Sequence, residues 1–99
     1  MRIISIKTIK NFWYNQRYKN SEPSLTSWCR DVRKDKWASP GDIKRKYGSA
    51  SILKNNRVVF NIKGNKYRLV AKINYRLQII FIRFVGTHEE YDKINAEEI

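Results

Sequence analysis

RVVFNIKGNKYRLVAKINYRLQIIFIRFV, from Arg57 to Val85, decides how this chain folds. It is rich in β-branched and aromatic residues, the types that suit a pleated, half-buried surface. Turn residues cut it into three runs. Arg57 to Ile62 is the first strand, and Gly64-Asn65 marks a hairpin turn. Tyr67 to Ile73 is the second, and Asn74-Tyr75-Arg76 is the next turn. Gln78 to Val85 is the third. Alternate residues of a strand face opposite ways. On the second strand Tyr67, Leu69, Ala71 and Ile73 form an apolar set, expected to meet the helices. Arg68, Val70 and Lys72 face the other way. On the third strand Ile79, Phe81, Arg83 and Val85 alternate with Gln78, Ile80, Ile82 and Phe84, and the pattern does not choose the inner set.

Upstream of this stretch the period changes. Arg2 to Ile6 reads as a short edge strand. From Thr8, the residues Ile9, Phe12, Trp13 and Gln16 recur at helical spacing. Asn20-Ser21-Glu22-Pro23 breaks that helix and opens another, with Ser21 or Glu22 as cap and Pro23 in the first turn. Leu25, Trp28, Cys29, Val32 and Lys36 follow the i, i+3, i+4, i+7 pattern of an amphipathic helix. Ser39-Pro40-Gly41-Asp42 is a turn cluster. Asp42 is expected to cap a short helix to Lys46 or Tyr47, stopped by Gly48. Downstream, Thr87-His88-Glu89-Glu90 has the Thr-x-x-Glu form of a capping box, so a short helix through Tyr91 and Ile94 is expected. The order predicts an α+β fold: two N-terminal helices on an antiparallel sheet, with a short C-terminal helix. Residues 1–99 read as a single domain, with no repeat and no linker.

The 21 Lys and Arg outnumber nine Asp and Glu, for a net charge of +12. Five of the acids follow His88, so residues 1–88 alone carry +16. Such a field attracts polyanions, above all nucleic acid, whose phosphates release counterions when neutralised. A merely soluble surface does not need so lopsided a sign. No apolar run reaches the roughly 18 residues of a membrane span, and the start is too soon interrupted by charge for a secretory signal. One cysteine, Cys29, offers neither an internal disulfide nor a metal pair, which fits a reducing cytoplasm.

Three residue types bear on chemistry. Arg68 sits on the second strand, with Arg83 and Arg57 on its neighbours. They read equally well as solvated arginines or as a cationic floor. His88, the only histidine, opens the last helix three positions before Tyr91, a spacing that puts both on one helix face. A lone histidine near a helix start is by itself more often structural. Together, though, an arginine, an imidazole and a phenol suffice for RNA transesterification. A base takes the 2′-hydroxyl proton, an acid protonates the leaving 5′-oxygen, and guanidinium stabilises the charge between. The acids crowd into the C-terminal tail, away from the basic body, so a carboxylate-held Mg²⁺ is not expected, and one Cys with one His supports no zinc site. The expectation is catalysis with no cofactor and no metal. Trp13 and Trp28 fall on core stripes; Trp37 is open to a stacking role.

Arg57 to Val70 resembles the central hairpin of HigB toxins, in the RelE-like superfamily. The run from Ile82 through Gly86-Thr87-His88-Glu89-Glu90-Tyr91 to Asp92 resembles their C-terminal signature more closely still. Lys7-Thr8 before Phe12-Trp13, and the stretch from Trp28 to Tyr47 with Trp37 and Pro40-Gly41-Asp42, also fit. Many relatives carry a His-Pro pair near the end of the first helix, where this chain reads Asn15-Gln16-Arg17-Tyr18. That difference is expected to leave the site untouched.

The resemblance implies a RelE-like fold and ribosome-dependent cleavage of translated messenger RNA, with growth arrest. It also implies a HigA-type helix-turn-helix antitoxin as partner, operator DNA being met only through that antitoxin. By position it makes Arg68, Arg83, His88 and Tyr91 the catalytic group, with base and acid open between His88 and Tyr91. Arg57, Lys63, Lys66 and Lys72 are the RNA-binding cations. The alternatives are a non-catalytic RNA-binding module of the translation machinery and a DNA-binding repressor. The apolar stripe of the second helix is ill suited to a DNA groove.

Overall fold

The computed structural model describes residues 1–99. It contains β1 (Arg2–Ile4), α1 (Ile6–Tyr14), a 3₁₀ segment (Gln16–Ser21), α2 (Glu22–Lys34), α3 (Pro40–Lys46), β2 (Ser51–Ile52), β3 (Arg57–Ile62), β4 (Tyr67–Asn74), β5 (Ile79–Thr87) and α4 (His88–Tyr91). The five strands form one sheet in the order β1-β5-β4-β3-β2. The fold is α+β, as expected. The sheet, however, is mixed rather than antiparallel, because β1 runs parallel to β5, pairing Ile3 with Ile80. An edge strand that arrives from the chain start has no hairpin to force it antiparallel.

The main core lies on one face of the sheet. Ile9 of α1 and Leu25, Trp28, Cys29 and Val32 of α2 join Phe60, Tyr67, Leu69, Ala71 and Ile73 in one buried cluster. The apolar set of β4 therefore faces the helices, as its alternation predicts. Trp37 belongs to this core too. It is 2% exposed and packs beside Tyr47 and Phe60, so it is no stacking platform.

β5 follows neither of its two alternating sets. Cross-strand pairs place Ile80, Ile82 and Val85 on the helix side, opposite Ile73, Ala71 and Leu69, while Phe81 and Phe84 lie opposite Lys72 and Val70. The register slips between Val70 and Ala71, and Arg83 is the extra residue of this irregularity. A bulge inverts the alternation beyond it. The second face of the sheet is only partly open. Val59 and Val70 are covered there by Ala96, with Phe84, Tyr91, Ile94 and Ile99 packed around them.

Asp42 is not the cap of α3. The helix starts at Pro40, and the Asp42 carboxylate accepts the Ala38 N–H at 2.7 Å from within the first turn. That bond, with Arg45 beside it, holds the carboxyl below its usual range.

Candidate functional site

α4 is set by the residue before it, Thr87. The Glu90 N–H donates to Thr87 Oγ1 at 3.1 Å, and the Thr87 N–H donates to Glu90 Oε1 at 2.9 Å. This reciprocal capping box satisfies backbone donors that an isolated four-residue helix leaves open. It fixes His88 at the junction of β5 and α4.

His88 lines a cleft of about 400 Å³. One wall is Arg17 and Tyr18 from the 3₁₀ segment; another is Asn65 and Lys66 from the β3–β4 turn; Tyr67, Thr87 and Glu89 complete it. Aromatic packing holds the first wall. Tyr18 stacks on Phe12 with ring centroids 4.5 Å apart, and both meet the Tyr67 ring edge-on. The Tyr67 hydroxyl donates to Asn20 Oδ1 at 2.7 Å, and the buried Ser21 hydroxyl donates to the Tyr18 carbonyl at 2.7 Å. Lys63 and Gly64 take left-handed backbone angles, which turn the chain tightly enough to bring Lys66 alongside. Lys66 Nζ lies 5.7 Å from the Tyr67 ring centre. The cleft thus brings together one imidazole, two cations, Arg17 and Lys66, neither of them in a salt bridge, and one acid, Glu89.

His88 Nδ1 lies 3.3 Å from Asp92 Oδ2, one helical turn on. Both side chains are more than half exposed, and the contact is a proximity of imidazole and carboxylate. Asp92 is thus a carboxylate neighbour of the imidazole. Its i, i+4 spacing from His88 is visible in the sequence, but only the helix shows that it is used.

The expected residues are not all gathered in this cleft. Arg68 is not among its lining residues: its Nη1 donates to the carbonyl of Asn65, a residue of the cleft wall, at 2.7 Å. It stands opposite Gly86, on the face away from the helices. Arg83 is exposed at the bulge, three residues before Gly86, which is about 10 Å along the strand. Tyr91 leaves α4 in another direction from His88 and lines a separate cleft with Leu53 and Ile94. Sharing a helix face did not bring the two side chains to one pocket. Lys63 is exposed in the β3–β4 turn, and Lys72 lies at the far half of β4.

Arg57 differs most from expectation. It is 8% exposed, and its guanidinium is taken up by backbone: Nε (3.1 Å) and Nη2 donate to the Ile99 carbonyl, and Nη1 donates to the Asn55 carbonyl at 2.9 Å. It ties the tail to the sheet, and its cation is not presented at the surface. Arg17 and Tyr18 show the opposite error. The stretch where this chain departs from the His-Pro pattern is a wall of the His88 cleft, so the departure does touch the site. Sequence spacing could not show this, because a 3₁₀ turn swings Arg17 across about 70 residues of chain to reach His88.

Fold and cleft together define a class: a small, strongly basic α+β protein with its only imidazole set among free cations at one end of the sheet. Within that class the chain belongs to the HigB toxin family, described as the RelE-like toxic component of a toxin-antitoxin system, whose model matches residues 21–94. It is 30% identical to the mRNA interferase toxin HigB of Escherichia coli strain K12, over 97% of this chain and 92% of that protein. It is 26% identical to the mRNA interferase HigB of Escherichia coli O6:H1, over 80% and 79% respectively.

Proposed function

We propose that this chain is an endoribonuclease toxin that cuts translated messenger RNA at the ribosome by acid–base chemistry without a bound ion. The observation that carries this reading is the His88 cleft, where an imidazole with Asp92 beside it shares the lining with Arg17 and Lys66, in a chain of the HigB family.

His88 Nε2 takes the proton of a ribose 2′-hydroxyl, and the 2′-oxygen bonds to the adjacent phosphorus. The bond from phosphorus to the 5′-oxygen breaks, and an acid returns a proton to that oxygen. The products are a 2′,3′-cyclic phosphate and a 5′-hydroxyl. Lys66, Arg17 and Arg68 stabilise the charge that builds on the phosphoryl oxygens. Arg83 binds the strand farther along β5. Tyr91 lines a different cleft, so the second proton comes from a cation of the His88 cleft, Lys66. In the cell the chain acts in the cytoplasm. An antitoxin with a helix-turn-helix domain neutralises it, and the pair meets operator DNA through that domain.

Induction of the chain alone stops growth, and primer extension on a translated message shows new 5′ ends. His88→Gln and Arg68→Ala each relieve the arrest and remove the new ends, with circular dichroism unchanged. Soluble protein without arrest sinks the toxin reading. Arrest without new 5′ ends points to an RNA-binding module instead. Cleavage of free RNA at the same rate as of translated RNA removes the ribosome from the scheme.

A further inference from the structure

The end of the sheet opposite His88 carries a second group of free cations. The turn after β4 holds Tyr75 and Arg76, and it separates two clefts. One, on the helix side, has a volume of about 480 Å³ and includes Lys36. The other, on the opposite face, has a volume of about 560 Å³ and includes Lys72 and Phe81. Tyr75 and Arg76 line both. Lys36, Lys72 and Arg76 make no ion pair. The one acid lining either cleft is Asp42, and its carboxylate is occupied by the Ala38 N–H and by Arg45. The Tyr75 and Phe81 rings are each partly exposed.

Along β4, Lys72 lies roughly 17 Å and the Tyr75-Arg76 turn roughly 26 Å from Tyr67 of the His88 cleft, at about 3.3 Å per residue. The tail over Val70 and Phe84 interrupts the outer face between them. The far end is therefore not an extension of the catalytic cleft. Uncompensated cations beside partly exposed rings suit a polymer that offers phosphate and a flat base at each step.

We propose that single-stranded RNA crosses this end of the sheet over the 74–78 turn, its phosphates met by Lys72, Arg76 and Lys36, with Tyr75 beneath a base. The proposal rests on the RNA reading above and adds a second, non-catalytic RNA contact to it. Three neutralised phosphates contribute about 2 to the slope of log affinity against log salt for a single strand.

The test is fluorescence anisotropy with a labelled 2′-O-methyl RNA oligonucleotide, which lacks the attacking hydroxyl. The triple variant Lys36→Ala, Lys72→Ala, Arg76→Ala is expected to bind more weakly, with its salt slope shallower by about 2. A control removes three charges from the exposed side of α2: Arg30→Ala, Arg33→Ala, Lys34→Ala. It is expected to leave the slope unchanged. An unchanged slope in the first variant overturns the proposal. So does an equal change in both, which is an effect of net charge alone. Growth arrest separates the two readings. If wild type arrests growth, His88→Gln does not, and the far-end variant keeps the wild-type slope, only this proposal falls. If His88→Gln still arrests growth while the far-end slope drops, the cleavage reading falls and this one stands.

Discussion

Arg57 shows how little an arginine's sequence position says about its task. It begins a strand in the basic body, beside Arg68 and Lys72 in the hairpin, and reads as one more phosphate ligand. Its guanidinium instead serves two backbone carbonyls, at Ile99 and Asn55. A buried guanidinium with its donors satisfied is costly to truncate, because the carbonyls lose charged partners. Arg57→Ala is expected to lower stability by about 2–4 kcal/mol in urea unfolding. Its salt slope for RNA stays that of wild type at temperatures where it is folded. A shallower slope with unchanged stability returns Arg57 to the RNA-binding set. Arg17 is the converse case, a residue unremarkable in sequence that the fold carries to the imidazole.

Among the elements, β5 is the least regular and the most consequential. Its alternation read as two equal choices, and the irregularity at Arg83 used half of each. The inversion keeps Val85 in the core and sends Phe84 to the outer face, where its ring lies over Gly86. A Cβ at Gly86 collides with that ring, so the glycine is needed for close approach and not for an unusual backbone angle. Gly86→Ala is expected to cost about 1–3 kcal/mol by overpacking. Thermal melts of Gly86→Ala with and without Phe84→Leu check this. The second change costs less in the alanine background than in wild type if ring and Cβ compete for one space, and additive costs refute the contact. The capping box of α4 was legible in full, since both of its bonds are local. The start of α3 was not, because Asp42 bonds back to Ala38 from inside the helix.

At the scale of the whole molecule, two polar contacts contribute stability of opposite pH dependence. The Asp42 carboxyl is lowered by the Ala38 N–H and Arg45, so its contribution is present above the ordinary carboxylate range and fades as pH falls through its lowered pKa. Tyr47 has the opposite sign. Burial and the Asp35 carboxylate, which accepts its hydroxyl at 2.7 Å, push the phenol far above its usual value. Its contribution is complete below about pH 10 and is lost as pH rises beyond that. This contact joins the end of α3 to the end of α2, across Phe60 of the sheet. Tyr47→Phe is expected to lower the melting temperature at pH 8 and to flatten its decline above about pH 10. Parallel alkaline limbs in both proteins refute the assignment.

The sequence by itself determined the class of fold, the inner face of β4, the two amphipathic helices, the capping box and the basic field, since all of these arise from local periodicity or summed charge. Tertiary structure alone decided the parallel edge strand, the bulge in β5, the burial of Trp37 and Arg57, and the meeting of Arg17, Lys66 and His88. Each of these depends on which distant segments share space. A pattern of neighbours along the chain carries a side chain's direction from its own backbone, but not what waits at the other end.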